Sequence, residues 1–468
     1  MEEKELVIVG AGPGGYVAAI RAAQLGIKTA VIEKEQLGGT CLNWGCMPTK
    51  ALLHGAELFD SLEAAKEFGI VAGPATVDFA KLTARKDRVV KTLVAGVAGL
   101  LKANGVEVLK GRARLLSKQG LELLDDKGQK SALQAGKIIL APGSVAAALP
   151  VPGADLPGVI DSNGALQLTR VPQSMVIIGA GPIGMEFGTI FGTLGTKVTV
   201  LEMLPQILPS EDPEIAGTLE KAIRRLKIQC LTGVRVLEIA EGAEGLKRVR
   251  AQAGAEEKTF DAEVVLVAIG RRPNLEGLGL EDAGVRFGKK GIEINDRMET
   301  NVPNIYAIGD ATGKWLLAHY AMAQGEVAAE NAAGHAAVMD SRIVPRCVYT
   351  FPEVASVGLT EKEAQEAGHA VKVGRFPFAA NGKATILGER NGFVKVVSDS
   401  RYGEVLGVHM IGPHATDLIG EAVVAMRLEG TAEDLAKAIH PHPTLTEAMM
   451  EAARDVDGVA VHIPPRKK

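Results

Sequence analysis

Four apolar runs punctuate the chain, and each stops on a glycine: LVIVG at 6–10, MVIIG at 175–179, VVLVAIG at 264–270 and IYAIG at 305–309. None alternates apolar with polar residues, as a strand with one wet face would. Such runs predict strands buried on both faces of a parallel sheet, with a ligand facing their carboxyl ends. The first, Leu6 to Val9, begins almost at Met1. A helix is predicted through Ala51 to Leu62, entered from a loop at Gly38-Gly39-Thr40. No apolar stretch reaches the length of a membrane-spanning helix.

Two of these runs open copies of one unit. VIVGAGPGG at 7–15 and VIIGAGPIG at 176–184 agree at seven of nine positions, at an offset of 169. LGIKTAVIEK at 25–34 and LGTKVTVLEM at 194–203 keep that offset, which sets Glu33 against Glu202. Each copy reads as a strand, a G-x-G-x-x-G turn, a helix, and a strand ending on an acid, the pattern of a dinucleotide-binding βαβ unit. Gly10 and Gly179 permit the tight turn. Gly12 and Gly181 let a pyrophosphate approach the backbone, and Gly15 and Gly184 let helix and strand pack closely. Free N–H groups at the helix N-terminus hold the phosphates. Glu33 and Glu202 can accept from ribose hydroxyls, and a carboxylate repels a 2′-phosphate, which favours NAD over NADP at the second site. One such motif is a common turn, but two at a fixed offset imply two dinucleotides, one of which can be FAD. Asp310, after the fourth run, suits either a flavin polyol or a turn.

At 468 residues the chain exceeds one core and predicts three or four units. A net charge of -4 without a basic run gives no field for nucleic acid. The early first strand leaves no room for a targeting peptide, so a cytoplasmic, reducing compartment is expected, where a permanent disulfide is unusual. Yet two of only four cysteines sit together in CLNWGCMPTK at 41–50. Five residues apart in a regular helix, they would lie roughly 8.7 Å apart, whereas a disulfide needs Cα atoms within about 7 Å. The segment must bend to let them bond, and Gly45 and Pro48 allow it. Zinc and iron–sulfur spacings fit poorly. A helix N-terminus favours a thiolate, so a dithiol that switches with a disulfide fits best. Cys230 and Cys347 lack that setting and read as buried structural thiols. Dithiol exchange also needs a base, and HPHPTLTE at 440–447 offers histidines with Glu447 to orient one.

CLNWGCMPTK, the paired glycine motifs, AIGD at 307–310 and HPTLTE at 442–447 together resemble the pyridine-nucleotide disulfide oxidoreductases across nearly the whole chain. GRFPFAANGKA at 374–384 and LGVHMIGPHATDLIGEA at 406–422 extend the likeness. The resemblance implies an α/β protein with two Rossmann-like domains, for FAD and NAD, a central region, and a C-terminal α+β dimerisation domain. The expected boundaries are 1–147, 148–270, 271–340 and 341–468. By the same resemblance Cys41 exchanges with the substrate dithiol and Cys46 is the flavin-side sulfur. Lys50 and Glu186 form an ion pair beside the flavin, and His442, held by Glu447, is the acid/base supplied by the other subunit of a homodimer. It further implies cofactor contacts at Gly39, Thr40, Lys50, Ala113, Gly143 and Ser144, and at Gly270, Leu316, Leu317, Ala318 and His319.

The activity implied is oxidation of dihydrolipoamide to lipoamide with NAD+. Its partners would be a lipoyl domain on a separate chain and the acyltransferase core of a 2-oxoacid dehydrogenase complex, or a glycine cleavage complex. Trp44, Thr49, Pro142 and Lys314-Trp315 depart from the family pattern without removing a reacting group. The alternatives are another NAD(P)H-dependent disulfide reductase and a non-catalytic flavoprotein subunit. Glu202 argues against an NADP-preferring glutathione type. VHIPPRKK at 461–468, whose last three residues lie outside the described structure, lacks the terminal cysteine pair of mercuric reductases.

Overall fold

The computed structural model describes residues 2–71 and 73–465. Strand β1 (Glu2–Val9), helix α1 (Pro13–Gln24) and β2 (Thr29–Glu33) make the first βαβ unit, with the strands parallel. The strand starts earlier than its apolar run because Glu2 to Lys4 continue the backbone ladder. Helices α2 (Gly39–Trp44), α3 (Cys46–Ala64) and α4 (Phe79–Ala103) cross over to β3 (Glu107–Lys110), which lies parallel to β2. A meander follows, β4 (Arg112–Leu115), β5 (Gly120–Leu124) and β6 (Lys130–Leu140). The first half of β6 closes the meander, while Leu133 to Leu140 pair in parallel with β1.

After β7 (Ser144–Ala146), β8 (Val159–Ile160) and α5 (Ser162–Leu166) the plan repeats. β9 (Ser174–Ile178), α6 (Pro182–Thr193), β10 (Lys197–Leu201), α7 (Pro213–Ala222) and β11 (Ile228–Leu231) lead into a second meander. It comprises β12 (Val234–Glu241), β13 (Lys247–Ala253) and β14 (Glu256–Ala262), and β15 (Val264–Val267) returns beside β9. The order β11-β10-β9-β15 mirrors β3-β2-β1-β6. The duplication therefore runs through the meanders, well past the stretches where it is legible in residues.

The chain then pairs β16 (Arg271–Pro273) with β7, forms the small hairpin β17 (Phe287–Gly288) and β18 (Gly291–Ile292), and inserts β19 (Ile305–Ala307) parallel to β6. Helix α8 (Ala318–Ala332) lies across α1. Gly14 and Gly325 make that crossing close: a Cβ on Gly14 would stand 2.7 Å from Ala321 O, and one on Gly325 2.5 Å from Gly14 O. The last part is an antiparallel sheet with flanking helices. Its elements in chain order are β20 (Arg346–Val348), β21 (Glu353–Gly358), α9 (Glu361–Glu366), β22 (Val371–Pro377), α10 (Gly382–Leu387), β23 (Phe393–Asp399), β24 (Val405–Gly412), α11 (Ala415–Arg427), α12 (Ala432–Lys437) and α13 (Glu447–Asp455). The sheet order is β20-β21-β24-β23-β22.

Burial explains the continuous apolar runs. Leu6 and Ile8 belong to the core on one face of the first sheet, Val7 and Val9 to the core on the other. Met175 and Ile177 divide from Val176 and Ile178 in the same way. Apolar burial on both faces supplies the main drive for these strands. The second unit meets the last sheet through apolar surface, with Val348, Val354 and Ile411 joining its core, and through ions. Buried Lys395 on β23 lies 2.9 Å from Asp212, 2.6 Å from Glu214 and 3.0 Å from Glu361, and Arg375 also binds Glu214 and Glu361. Among the described residues no helix is long and apolar enough to cross a membrane.

Candidate active site

The cysteine pair straddles a break. Gly45, at φ -136° and ψ -112°, ends α2 and starts α3, so Cys41 lies within the short helix and Cys46 opens the long one. The pair was expected at the start of a single helix; the structure uses two, because the backbone at Gly45 leaves the helical region. A Cβ on Gly45 would stand 2.8 Å from Thr40 O. Thr49 steadies the break, its hydroxyl donating to Gly45 O at 2.7 Å. The two cysteines are free thiols, with Cys41 buried. The Cys41 thiol donates to the Cys46 sulfur, which favours a Cys46 thiolate. With Lys50 adding to it, this outweighs burial and the charge on Glu186, and sets the Cys46 pKa at about 7. The same hydrogen bond, with burial, pushes Cys41 strongly up. Tyr16 lies within the field of Cys41, and burial raises its phenol.

One turn along α3, Lys50 Nζ meets both carboxylate oxygens of Glu186 on α6, at 2.8 and 2.7 Å. The ion pair thus bridges the two nucleotide-binding units. Tyr349, just past β20, holds both partners: its N–H donates to Glu186 Oε1 at 3.2 Å, and Lys50 Nζ lies 4.4 Å from its ring centre. Tyr349 was not among the candidates, since it acts through a backbone group and a ring face distant in sequence.

The two glycine cradles are built alike. A Cβ on Gly15 would lie 1.8 Å from Gly10 O, and one on Gly184 2.0 Å from Gly179 O, so helix and turn touch only because both positions are bare. Gly12 and Gly181 differ: the nearest atom to a Cβ on Gly12 is 4.0 Å away, and nothing lies within 4 Å of one on Gly181. Gly12 and Gly181 are the N-caps of α1 and α6, and neither helix has a side-chain cap. Open space before uncapped N–H groups fits a pyrophosphate in each cradle. Glu33 accepts from the N–H groups of Ala11 and Glu35 at 2.8 Å each, and Glu202 from Ala180 at 2.7 Å and Leu204 at 2.8 Å. Each carboxylate is thereby fixed at the end of its second strand, with lone pairs left for ribose hydroxyls.

Around the first cradle, Gly39 lies so close to Gly12 that its Cβ would sit 2.7 Å from Gly12 Cα, and Thr40 follows in α2. Ala113 is on β4, and Gly143 and Ser144 follow β6. Ser144 donates to Asp310, whose carboxyl is raised by burial. Arg271 binds Ser144 at both Oγ and O, 2.8 and 2.7 Å. This arginine follows Gly270 in GRRPN and received no role from the sequence; the basic pair after a glycine-terminated strand was the available signal. Leu316 and Leu317 precede α8, Ala318 opens it, and His319 Nε2 lies 2.8 Å from Pro345 O.

The departures from the family pattern are accommodated by local contacts. Trp44 packs on the second unit's core, Lys314 pairs with Asp296, and Trp315 stacks with Arg346. Asn274 donates to Pro142 O at 3.3 Å. Cys230 and Cys347 are half-buried thiols, both raised by burial to about 12.

His442 and Glu447 form a separate cluster. His442 Nδ1 donates to Glu447 Oε1 at 2.9 Å, and Glu447 Oε2 accepts from Thr444 N at 2.9 Å. Partial burial opposes ionisation of Glu447, but these hydrogen bonds hold its carboxyl below the usual range. The His442 side chain is 77% exposed, and its bond runs to Glu447 rather than to the cysteines.

Two nucleotide cradles flanking a coupled dithiol define a flavoprotein disulfide oxidoreductase. Residues 4–325 match the family described as pyridine nucleotide-disulphide oxidoreductase, and residues 344–453 match its dimerisation domain. The chain belongs to that family, with the expected α/β fold and dimerisation domain, and its cofactors are FAD and NAD. It is 46% identical over 467 residues to dihydrolipoyl dehydrogenase 3 of Pseudomonas aeruginosa, covering 98% of this chain and 99% of that one. It is also 46% identical over 470 residues to dihydrolipoyl dehydrogenase of Thermus scotoductus, covering 99% of each. Among solved structures, LpdA of Mycobacterium tuberculosis superposes with a TM-score of 0.90 at 28% identity, covering 96% of this chain and 99% of that one. The HOCl-induced flavoprotein disulfide reductase RclA of Escherichia coli gives 0.85 at 27%, with the same coverage.

Proposed function

We propose that this protein oxidises dihydrolipoamide to lipoamide with NAD+. The observation that carries the reading is the thiol pair split across Gly45, with Cys46 poised as a thiolate beside the Lys50–Glu186 pair. The similarity to dihydrolipoyl dehydrogenases supports the choice of dithiol. In the oxidised enzyme Cys41 and Cys46 are joined. His442 takes a proton from one substrate thiol, and the resulting thiolate attacks Cys41 Sγ, releasing Cys46 as a thiolate. His442 releases that proton, takes the one on the second substrate thiol and passes it to Cys41 as the new thiolate displaces that sulfur from the mixed disulfide, so lipoamide leaves oxidised and the enzyme keeps two electrons as a Cys41 thiol and a Cys46 thiolate. FAD held in the first cradle would supply the two-electron relay between the Cys46 side of the dithiol and NAD+.

In this reading Gly10, Gly12, Gly15, Glu33, Gly39 and Thr40 hold FAD, together with Lys50, Ala113, Gly143, Ser144, Asp310 and residues 316–319. Gly179, Gly181, Gly184, Glu202 and Gly270 hold NAD. The units are 1–147 for FAD, 148–270 for NAD, 271–340 completing the flavin site, and 341–468 for dimerisation. His442 and Glu447 serve the cysteines of the other subunit in a homodimer. The substrate arrives on a separate lipoyl domain in the cytoplasm, within an acyltransferase-based 2-oxoacid dehydrogenase complex.

The test is anaerobic addition of dihydrolipoamide to the purified protein, followed by NAD+. Formation of NADH that is lost in Cys46→Ser supports the proposal. A protein that NADH reduces but dihydrolipoamide does not acts on another disulfide.

A further inference from the structure

HPHPTLTE carries two histidines, and the reaction above uses only His442. His440 is placed differently: its side chain is 7% exposed. His440 Nδ1 lies 3.0 Å from Ala438 O, and Nε2 lies 2.7 Å from Glu421 Oε1. Both partners are acceptors for a ring N–H. Ala438 closes α12 and Glu421 stands within α11, so one imidazole ties the start of the segment to two helices.

The other end is tied at Thr444, whose carbonyl accepts from Asn381 Nδ2 at 3.0 Å and whose N–H donates to Glu447. Within its own chain the segment has no apolar packing at residues 441–443, which are exposed, and a further tie is Thr444 Oγ1 donating to Pro441 O at 2.7 Å. The polar tie at His440 is therefore the restraint that joins the upstream side of the peptide presenting His442 to the helices α11 and α12.

We infer that His440, fixed by Glu421, is a positioning residue for His442. It rests on His442 being the acid/base of the proposed reaction. Displacing a catalytic group by about 1 Å costs on the order of 10²-fold in rate.

The experiment uses the full-length FAD-loaded enzyme and compares His440→Ala, His440→Gln, His442→Gln and the His440→Ala/His442→Gln double variant. Two reactions are followed: dithiol oxidation by NAD+, with dihydrolipoamide and with dithiothreitol, and reduction of ferricyanide by NADH, which bypasses the acid/base. The expected result is a loss on the order of 10²-fold in kcat for dithiols in His440→Ala, with the ferricyanide rate retained. Glutamine, whose amide N–H can reach Glu421, recovers part of that loss. In the His442→Gln background the His440 change costs little further, because the group it positions is gone. Equal losses in both backgrounds, no loss at all, or parallel losses in both reactions overturn the inference. If His440→Ala does not fold, His440→Gln carries the same comparison. Wild-type enzyme that oxidises dithiothreitol but not dihydrolipoamide overturns the proposed substrate and leaves the His440 comparison readable.

Discussion

At the scale of single residues, the site works by dividing one pair of thiols into unequal members. Cys46 has a pKa lowered to about 7, so its charged form accumulates as pH rises through that value. Thiolate absorbance of the reduced protein therefore rises with a midpoint near neutrality, and Cys46→Ser removes that step. Lys50→Met takes away a cation that favours the thiolate, and the midpoint moves up. His442→Gln removes the proposed base and lowers dihydrolipoamide oxidation by about 10²–10⁴-fold. Reduction of ferricyanide by NADH stays at the wild-type rate in the same preparation. Cys41, Cys46 and the His442–Glu447 pair were legible because their chemistry is carried by residue type and close spacing. Tyr349 and Arg271 were not, because one acts through a backbone N–H and the other through a serine far away in sequence.

At the scale of elements, the two glycine-rich turns separate structural from binding roles within one motif. Gly184→Ala forces a methyl against Gly179 O, so α6 must shift, and both the melting temperature and NAD use fall. Gly181→Ala meets nothing within 4 Å, so the fold keeps its melting temperature while the KM for NAD+ rises, because the methyl takes pyrophosphate space. Calorimetry and steady-state kinetics on the two variants check this contrast. Strands β1 and β9 could be read from sequence because both faces are buried and the run is wholly apolar. The second meander could not. Its outward faces are held by ladders of charge, Arg248 to Asp261 and Arg250 to Glu238 and Glu257, which look like solvated loop in a hydropathy pattern. The break at Gly45 was half legible: a bend was required for the cysteines to bond, but glycine alone does not say that two helices meet there.

At the scale of the whole molecule, ions add to an apolar contact in fastening the second nucleotide-binding unit to the last sheet. Lys395→Met leaves the buried Asp212 without its cation and Glu214 and Glu361 with Arg375 alone, and costs about 3–5 kcal/mol in denaturant unfolding. The attachment also has an acid limit. Arg375 chiefly, with Lys395, overcomes partial burial and holds the Glu214 carboxyl down at about 2, against an ordinary value of 4.5. Because the folded value is the lower one, the stabilisation is full above about pH 4.5 and is lost as pH falls towards 2. This network was invisible in the sequence, since its members lie on four elements spread from Asp212 to Lys395.

The insertion of β19 beside β6 also orders events in time. Residues 305–307 complete the first sheet, yet they are made after the whole second unit, whose strands are contiguous in the chain. A ribosome emitting this protein from its N-terminus exposes a finished NAD-type fold while the earlier one still has an unpaired edge along the carboxyl end of β6. The upstream nucleotide site therefore matures second, when Asp310 and α8 emerge, and a chain cut short near residue 300 carries an open β edge that invites aggregation.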